Sequence, residues 1–213
     1  MDILKEIADN TEKGKQLEVP AAVQKALANG ISPYKVLTNG LQEGLEAVGA
    51  RFKRNEAYIP EVLLAARAMQ AGMNILQPLL AESGRKPIAT VVLGTVKDDL
   101  HDIGKNMVGM MLEGSGFQVV DLGVNVPAAK FVATLEAEKS ALLAMSALLS
   151  TTAPYLKTVI DALEEKGLRQ NVKVLVGGAP VTEEYAIKIG ADGFAPDSPR
   201  AVDKAKELLN LKT

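Results

Sequence analysis

Val91–Asn106, VVLGTVKDDLHDIGKN, is the stretch whose reading decides the fold. An apolar run rich in β-branched residues ends in a polar turn, and apolar residues at helical spacing follow. Strand, turn and helix in that order form the repeating unit of a parallel α/β sheet. Such sheets hold their ligands outside the carboxyl ends of the strands. His101, the one histidine of the chain, sits in that turn, with Asp99 shortly before it and Gly104 shortly after. A histidine at the top of a sheet with a carboxylate in reach matches a metal ligand held in orientation from behind. Taken alone, the same residues also describe an ordinary solvated turn.

Downstream the pattern repeats. Strand-like runs at Ile88–Gly94, Phe117–Leu122, Ala141–Ser146, Val172–Val176 and Gly193–Ala195 alternate with helical patterns. The helices are expected over Asp102–Glu113, Ala128–Glu138, Ala153–Lys166, Glu183–Ile189 and Arg200–Leu209. Strands apolar enough to be covered on both faces predict a doubly wound, five-stranded parallel sheet of Rossmann-like (flavodoxin-like) type over residues 86–213. Upstream, residues 1–85 read as helices only. Asp2–Lys15 carries Ile3, Leu4, Ile7 and Ala8 at helical spacing, and a second segment runs from Pro20 to near Gly30. Pro33–Phe52 places Val36, Leu37, Leu41, Leu45 and Val48 on one face, and a fourth helix is expected from Pro60 to Ala81. Short connections between such helices predict an antiparallel all-α bundle. The polar segment Glu82–Pro87, containing Gly84 and Pro87, reads as the linker between the two domains.

The polar residues after the strands are therefore the ones to inspect. Asp98, Asp99, Leu100, His101 and Asp102 follow the first strand, and Ser146 to Thr151 end and follow the third. Gly177-Gly178-Ala179-Pro180 follows the fourth and Pro196-Asp197-Ser198 the fifth. Each has a plain explanation as turn chemistry: Asp99 or Asp102 as a helix cap, Ser150 to Thr152 as another, Gly177-Gly178 as a tight bend. Their convergence on one edge of one sheet is what points to a binding site.

Composition narrows the chemistry. Of 213 residues, 47% are apolar and 23% charged, an ordinary balance with material for a core. A net charge of −2, with both signs interspersed, leaves no electrostatic footprint for nucleic acid or an anionic membrane. No apolar run is long enough to span a bilayer. The amphipathic N-terminus is unlike a secretory signal, so a cytoplasmic location is expected. Cysteine is absent, which removes disulfides, iron–sulfur clusters and thiolate sites. A single histidine is too few for a zinc site built from protein ligands. A transition metal here would have to arrive inside a cofactor that brings most of its own ligands.

The order Asp99-x-His101-x-x-Gly104, Ser146-x-Leu148 and Gly177-Gly178 resembles the signature of cobalamin-binding domains that hold the corrinoid with its own base displaced. The resemblance extends upstream. Gly44-x-x-x-Val48-Gly49-x-x-Phe52, then Ile59-Pro60-Glu61 and Ala65-Ala66-Arg67-Ala68-Met69, is similar to the helical cap domain of cobalamin-dependent methionine synthase. The same cap occurs in the small corrinoid proteins of anaerobic methyltransferase systems, which are the closer match at this length. Two positions depart from methionine synthase: Asn39 stands where that enzyme carries glutamate, and Ser150 where it carries threonine.

This resemblance implies that His101 is the lower axial ligand of cobalt. It further implies that Asp99 holds the other ring nitrogen and that Ser146 extends the relay, which takes up a proton when methyl departure releases the imidazole. The implied cofactor-binding set is Asp98, Asp99, Leu100, His101, Asp102, Ile103, Gly104, Ser146, Leu148, Ser150, Gly177, Gly178 and Ser198. Gly104 would leave room for the descending nucleotide tail, with close helix–sheet packing as its other explanation. Phe52 and Ile59 would cover the methyl-bearing face. The resemblance implies a carrier subunit that shuttles a methyl group and is not itself a complete enzyme. Its partners would be a substrate-specific methyltransferase, an acceptor methyltransferase acting on tetrahydrofolate or a thiol, and a reductive activating protein, with a hinge near Gly84. Methylamines, methanol, methoxylated aromatics or betaines are all open as methyl donors. Three alternatives remain: the small subunit of an adenosylcobalamin-dependent mutase, a cobalamin-responsive regulator, and a plain flavodoxin-like domain beside an unrelated bundle.

Overall fold

A computed structural model describes residues 2–82 and 87–211. Contacts divide the chain into two compact units, Met1–Pro87 and Ile88–Thr213. Among the described residues no helix is long and apolar enough to cross a membrane.

The first unit is all helical. Helix α1 (Ile3–Glu12) is capped by Asp2, whose Oδ1 accepts from the Leu4 amide at 3.1 Å. Helix α2 (Glu18–Ala28) begins before Pro20 rather than at it, since a proline in the first turn lacks only an amide that would be unpaired anyway. The single helix expected over 33–52 is one continuous helical stretch with a change of hydrogen bonding inside it. Helix α3 (Pro33–Val36) passes into a π-helical segment, Leu37–Gln42, and then into α4 (Glu43–Lys53). Helix α5 (Ile59–Glu82) runs through Pro78. The expected linker therefore loses Glu82 to α5, and Ser83 to Lys86, with Gly84 among them, lie outside the described residues.

Helix α1 packs on the π segment and on α4. Two glycines make that approach possible. A Cβ on Gly40 would stand 2.9 Å from Ile7 Cγ2, and one on Gly44 would stand 2.4 Å from the Ala8 carbonyl oxygen and 2.7 Å from Thr11 Cβ. Ile7, Val36, Leu41, Leu45 and Val48 are buried where these helices meet.

The second unit is a five-stranded, all-parallel sheet of order β2-β1-β3-β4-β5. The strands are β1 (Thr90–Thr95), β2 (Gln118–Asp121), β3 (Leu142–Ser146), β4 (Lys173–Gly177) and β5 (Gly193–Phe194). Helices α6 (Ile103–Gly114), α7 (Ala128–Glu138), α8 (Pro154–Glu165), α9 (Glu183–Ile189) and α10 (Ser198–Leu208) alternate with them. Strand order and helix alternation agree with the expected doubly wound fold, with boundaries displaced by a residue or two. The central strands are buried from Val91 to Thr95 and from Leu142 to Met145, as strands covered on both faces must be. Order reverses between β1 and β3, where Thr95 pairs with Ser146 and Ser146 with Gly177. That row of three strand ends is the topological switch point, where this kind of sheet binds ligands.

Because Gly44 faces backbone that cannot move without shifting α1, Gly44→Ala should destabilise the helical unit by about 1–3 kcal/mol. Hydrogen exchange resolved along the chain checks this: protection should fall in residues 2–82 and hold in residues 88–211. An equal loss in both units would refute it.

Candidate functional site

The turn after β1 carries the candidate site, and its backbone is held from β1 itself and from the loop between β2 and α7. Thr95, the buried last residue of β1, donates its hydroxyl to the His101 carbonyl at 2.9 Å. From the loop between β2 and α7, the Asn125 amide donates to the Asp99 carbonyl at 2.9 Å. The Asn125 side-chain oxygen in turn accepts from the Asp98 amide at 2.8 Å. A single parallel bridge between Val96 and Val126 continues the β1 ladder into this loop.

Asp99 is the centre of the arrangement. Its side chain has no exposed surface, yet each oxygen receives two donors. Oδ1 accepts from His101 Nδ1 at 2.7 Å and from the His101 amide at 3.1 Å. Oδ2 accepts from the Leu148 amide and from the Thr152 hydroxyl, both at 2.7 Å. Burial alone would push this carboxyl up. The hydrogen bonds, led by that of Thr152, outweigh burial and hold it well below the usual carboxylate range. An ionised Asp99 makes Nδ1 the protonated nitrogen of His101 and leaves the Nε2 lone pair facing outward from the pair. The imidazole is half exposed, and among the described residues no hydrogen bond engages Nε2.

Past the histidine, α6 is pinned to the end of β2. Lys105, with its side chain 2% exposed, pairs with Asp121 and reaches Asn106 Oδ1 at 2.6 Å. Asn106 Nδ2 donates to Asp102 Oδ2 at 3.0 Å, so Asp102 is engaged there and does not cap the helix with its side chain. Gly104 has nothing within 4 Å of where a Cβ would stand, which removes close packing as its explanation. Gly109 is the glycine that lets α6 approach the sheet, with Leu93 Cδ2 at 3.1 Å. Leu100 and Ile103 are both 71% exposed, beside half-exposed Leu148 and Leu149.

The other strand ends come to the same edge. Gly178 adopts φ +119°, and a Cβ there would lie 1.9 Å from the Ala147 carbonyl oxygen. It is the residue that lets the β4 turn press against the segment carrying Leu148. Ser150 is exposed. The Ser198 hydroxyl, at the start of α10, is buried and has no hydrogen-bond partner among the described residues. Phe52, in α4, and Ile59, the exposed first residue of α5, belong to the helical unit.

One expected relay partner is displaced. Ser146 ends β3, but Asp99 takes its hydroxyl from Thr152, in the turn before α8. The reason is reach: Ser146 is fixed in the β3 ladder opposite Thr95, whereas the turn at 149–152 folds back over the carboxylate. By sequence Thr152 is a cap residue and Asn125 an ordinary loop residue. A hydroxyl just before a helix is common, so nothing in the sequence marks this one as reaching a carboxylate across the sheet.

Comparison with known proteins fits this geometry. The model of the B12 binding domain matches residues 89–203, and a second B12 binding domain model matches residues 3–77. The chain belongs to the B12-binding family. Dimethylamine corrinoid protein 1 of Methanosarcina acetivorans is 43% identical over 98% of both chains. A cobalamin-binding protein of Desulfitobacterium hafniense superposes with a TM-score of 0.81 at 30% identity over 98% of both chains. The methanol:cobalamin methyltransferase complex of Methanosarcina barkeri contains a chain that superposes at 0.85, with 29% identity, over 100% of this chain and 81% of its own. Cobalamin is the cofactor of this family, and the residues present fit it. An imidazole with one nitrogen fixed and the other unengaged suits a metal that brings its own equatorial ligands. Open space at Gly104 and the orphaned hydroxyl of Ser198 suit a tail passing into the sheet edge.

Removing the Thr152 hydroxyl takes one of two donors from Asp99 Oδ2. Thr152→Val should therefore cost about 1–3 kcal/mol of folding stability at neutral pH. The sign follows from the lowered carboxyl: stability from ionised Asp99 is present above its ordinary value of 3.8 and lost as pH falls through the lower folded value. The deficit of the variant should thus narrow in acid, as thermal melts across pH would record. Ser146→Ala touches no bond of Asp99 and should lack that signature.

Proposed function

We propose that this chain is a corrinoid methyl carrier that binds cobalamin base-off with His101 as the lower ligand. The observation that carries the reading is the buried, fully bonded Asp99 behind a half-exposed imidazole whose Nε2 has no hydrogen bond among the described residues. A corrinoid held through the His101 imidazole would supply the methyl-accepting and methyl-donating chemistry. The protein's part is positional and electrostatic. Asp99 fixes the tautomer and polarises the ring, which makes Nε2 a better donor. Thr152 and the Leu148 amide keep the carboxylate ionised and unable to rotate. Leu100, Ile103 and Leu148 offer apolar surface beside the imidazole, where a flat macrocycle can displace water.

On this reading Asp98, Asp102 and Lys105 shape the turn and the first turn of α6, and Ser150, Gly177, Gly178 and Ser198 line the path of the nucleotide tail. Phe52 and Ile59 would shield the methyl-bearing face from water. The donor side would be a substrate-specific methyltransferase. Relatives named for dimethylamine, at 43% identity over nearly the whole chain, support a methylated amine as the donor. A second methyltransferase with a tetrahydrofolate or thiol acceptor, and a reductive activating protein, complete the proposed set of partners. The match of residues 3–77 to a B12 binding domain of its own counts against a mutase subunit, which would lack such a cap.

The test is reconstitution with cobalamin followed by desalting, with His101→Ala in parallel. The protein should retain chromophore, and its Co(II) form should give a paramagnetic resonance signal split by a protein nitrogen that the variant lacks. Loss of chromophore from the unmodified protein on desalting would sink the proposal.

A further inference from the structure

Asp98 takes φ +62°, in the left-handed region, which glycine adopts freely and aspartate tolerates at a smaller cost than most side chains. Glycine would form the same turn without that cost. What the aspartate adds is a bond across the sheet edge: Oδ2 accepts from the Tyr155 hydroxyl at 2.7 Å. Tyr155 lies in the first turn of α8, and Lys97 Nζ stands 5.7 Å from the centroid of its ring.

This bond runs beside the one already described. Asp98 and Asp99 are consecutive, and each holds a hydroxyl from the same short segment, Tyr155 and Thr152 respectively. The inner bond is buried and the outer one exposed. Thr95 and Asn125 hold the backbone of this turn, and Asp99 and Asp98 are its two side-chain ties to residues 152–155. His101 lies just beyond the pair, so the outer tie limits whatever tilt of the imidazole the inner one alone would leave.

We propose that the Asp98–Tyr155 bond is a latch that sets the angle and reach of the His101 imidazole toward the cobalt, making both residues positioning residues. The inference rests on His101 being the lower ligand. It goes beyond that reading in assigning the geometry of ligation to an exposed pair outside the Asp99–Thr152 relay.

The experiment loads the full chain with cobalamin, reduces it to the Co(II) form and titrates imidazole labelled with heavy nitrogen. The label's splitting differs from that of ordinary nitrogen, so displacement of His101 is read directly by paramagnetic resonance. Tyr155→Phe keeps the ring under Lys97 and removes only the hydroxyl. At equal corrinoid occupancy its displacement midpoint should fall about fivefold, the effect of one net hydrogen bond. Asp98→Gly should fall as far without a lower melting temperature, whereas Asp98→Asn, which keeps an acceptor for Tyr155, should recover most of the loss. Combining Tyr155→Phe with Asp98→Gly should add nothing further. An unchanged midpoint in Tyr155→Phe overturns the latch alone. Absence of protein-nitrogen splitting in the unmodified chain overturns the latch together with the ligand assignment.

Discussion

A carboxylate with no exposed surface stays ionised only when its lone pairs find donors, and the second unit is built to supply them to Asp99. Its four donors come from two places far apart in sequence: the turn after β1 and the turn after β3. Those turns meet only because β1 and β3 are neighbours at the point where strand order reverses. The fold and the electrostatics of the site are in this sense one constraint. Any change that separates β1 from β3 leaves a buried charge short of donors, which costs far more than an exposed ion pair could return. The same geometry sets the chemistry of His101, because an acceptor fixed at Nδ1 decides which ring nitrogen is left for a metal.

The helical unit depends on a different kind of constraint. Gly40 and Gly44 allow α1 to lie against the π segment and α4 at a distance no side chain would permit. Periodicity in the sequence located these helices, since burial of Val36, Leu41, Leu45 and Val48 follows the expected face. It could not show that the hydrogen bonding widens over Leu37–Gln42, because the four-residue spacing of Leu37, Leu41 and Leu45 is compatible with an α turn and with the wider π turn. The motif glycine at position 44 was visible as a letter in a resemblance. Its physical reason, the Ala8 carbonyl oxygen 2.4 Å from where its Cβ would stand, belongs to packing between segments remote in the chain.

In the α/β unit the alternation of strand and helix was legible, as was the edge on which the polar turns gather, because both follow from local pattern and from the rule of the switch point. Partner choice was not. Ser146 and Thr152 are both hydroxyls near the end of β3, and only the path of the turn decides which one meets Asp99. Asn125 and Tyr155 act through bonds spanning tens of residues, with no spacing that would announce them. Gly104 and Gly109 sit on one helix with opposite surroundings, open space for the first and Leu93 for the second, a difference that depends on how α6 is rotated on the sheet.

Several of the local rules this unit breaks are broken around His101. Asp98 and Asn125 both take the left-handed conformation, and they are bonded to each other in the loops that frame His101. A carboxylate is buried there, a lysine is buried one turn along, and Leu100 and Ile103 stand mostly in water. Each departure opposes stability when taken singly, and strained backbone persists only where surrounding contacts over-determine it. Their clustering on one edge is what a site shaped for a large, partly apolar ligand requires. The buried groups hold the imidazole in place without a ligand. On the proposed ligation, the residual cost in the free protein would be met when apolar surface and Nε2 are covered at once, so stability and binding would be drawn from the same few residues.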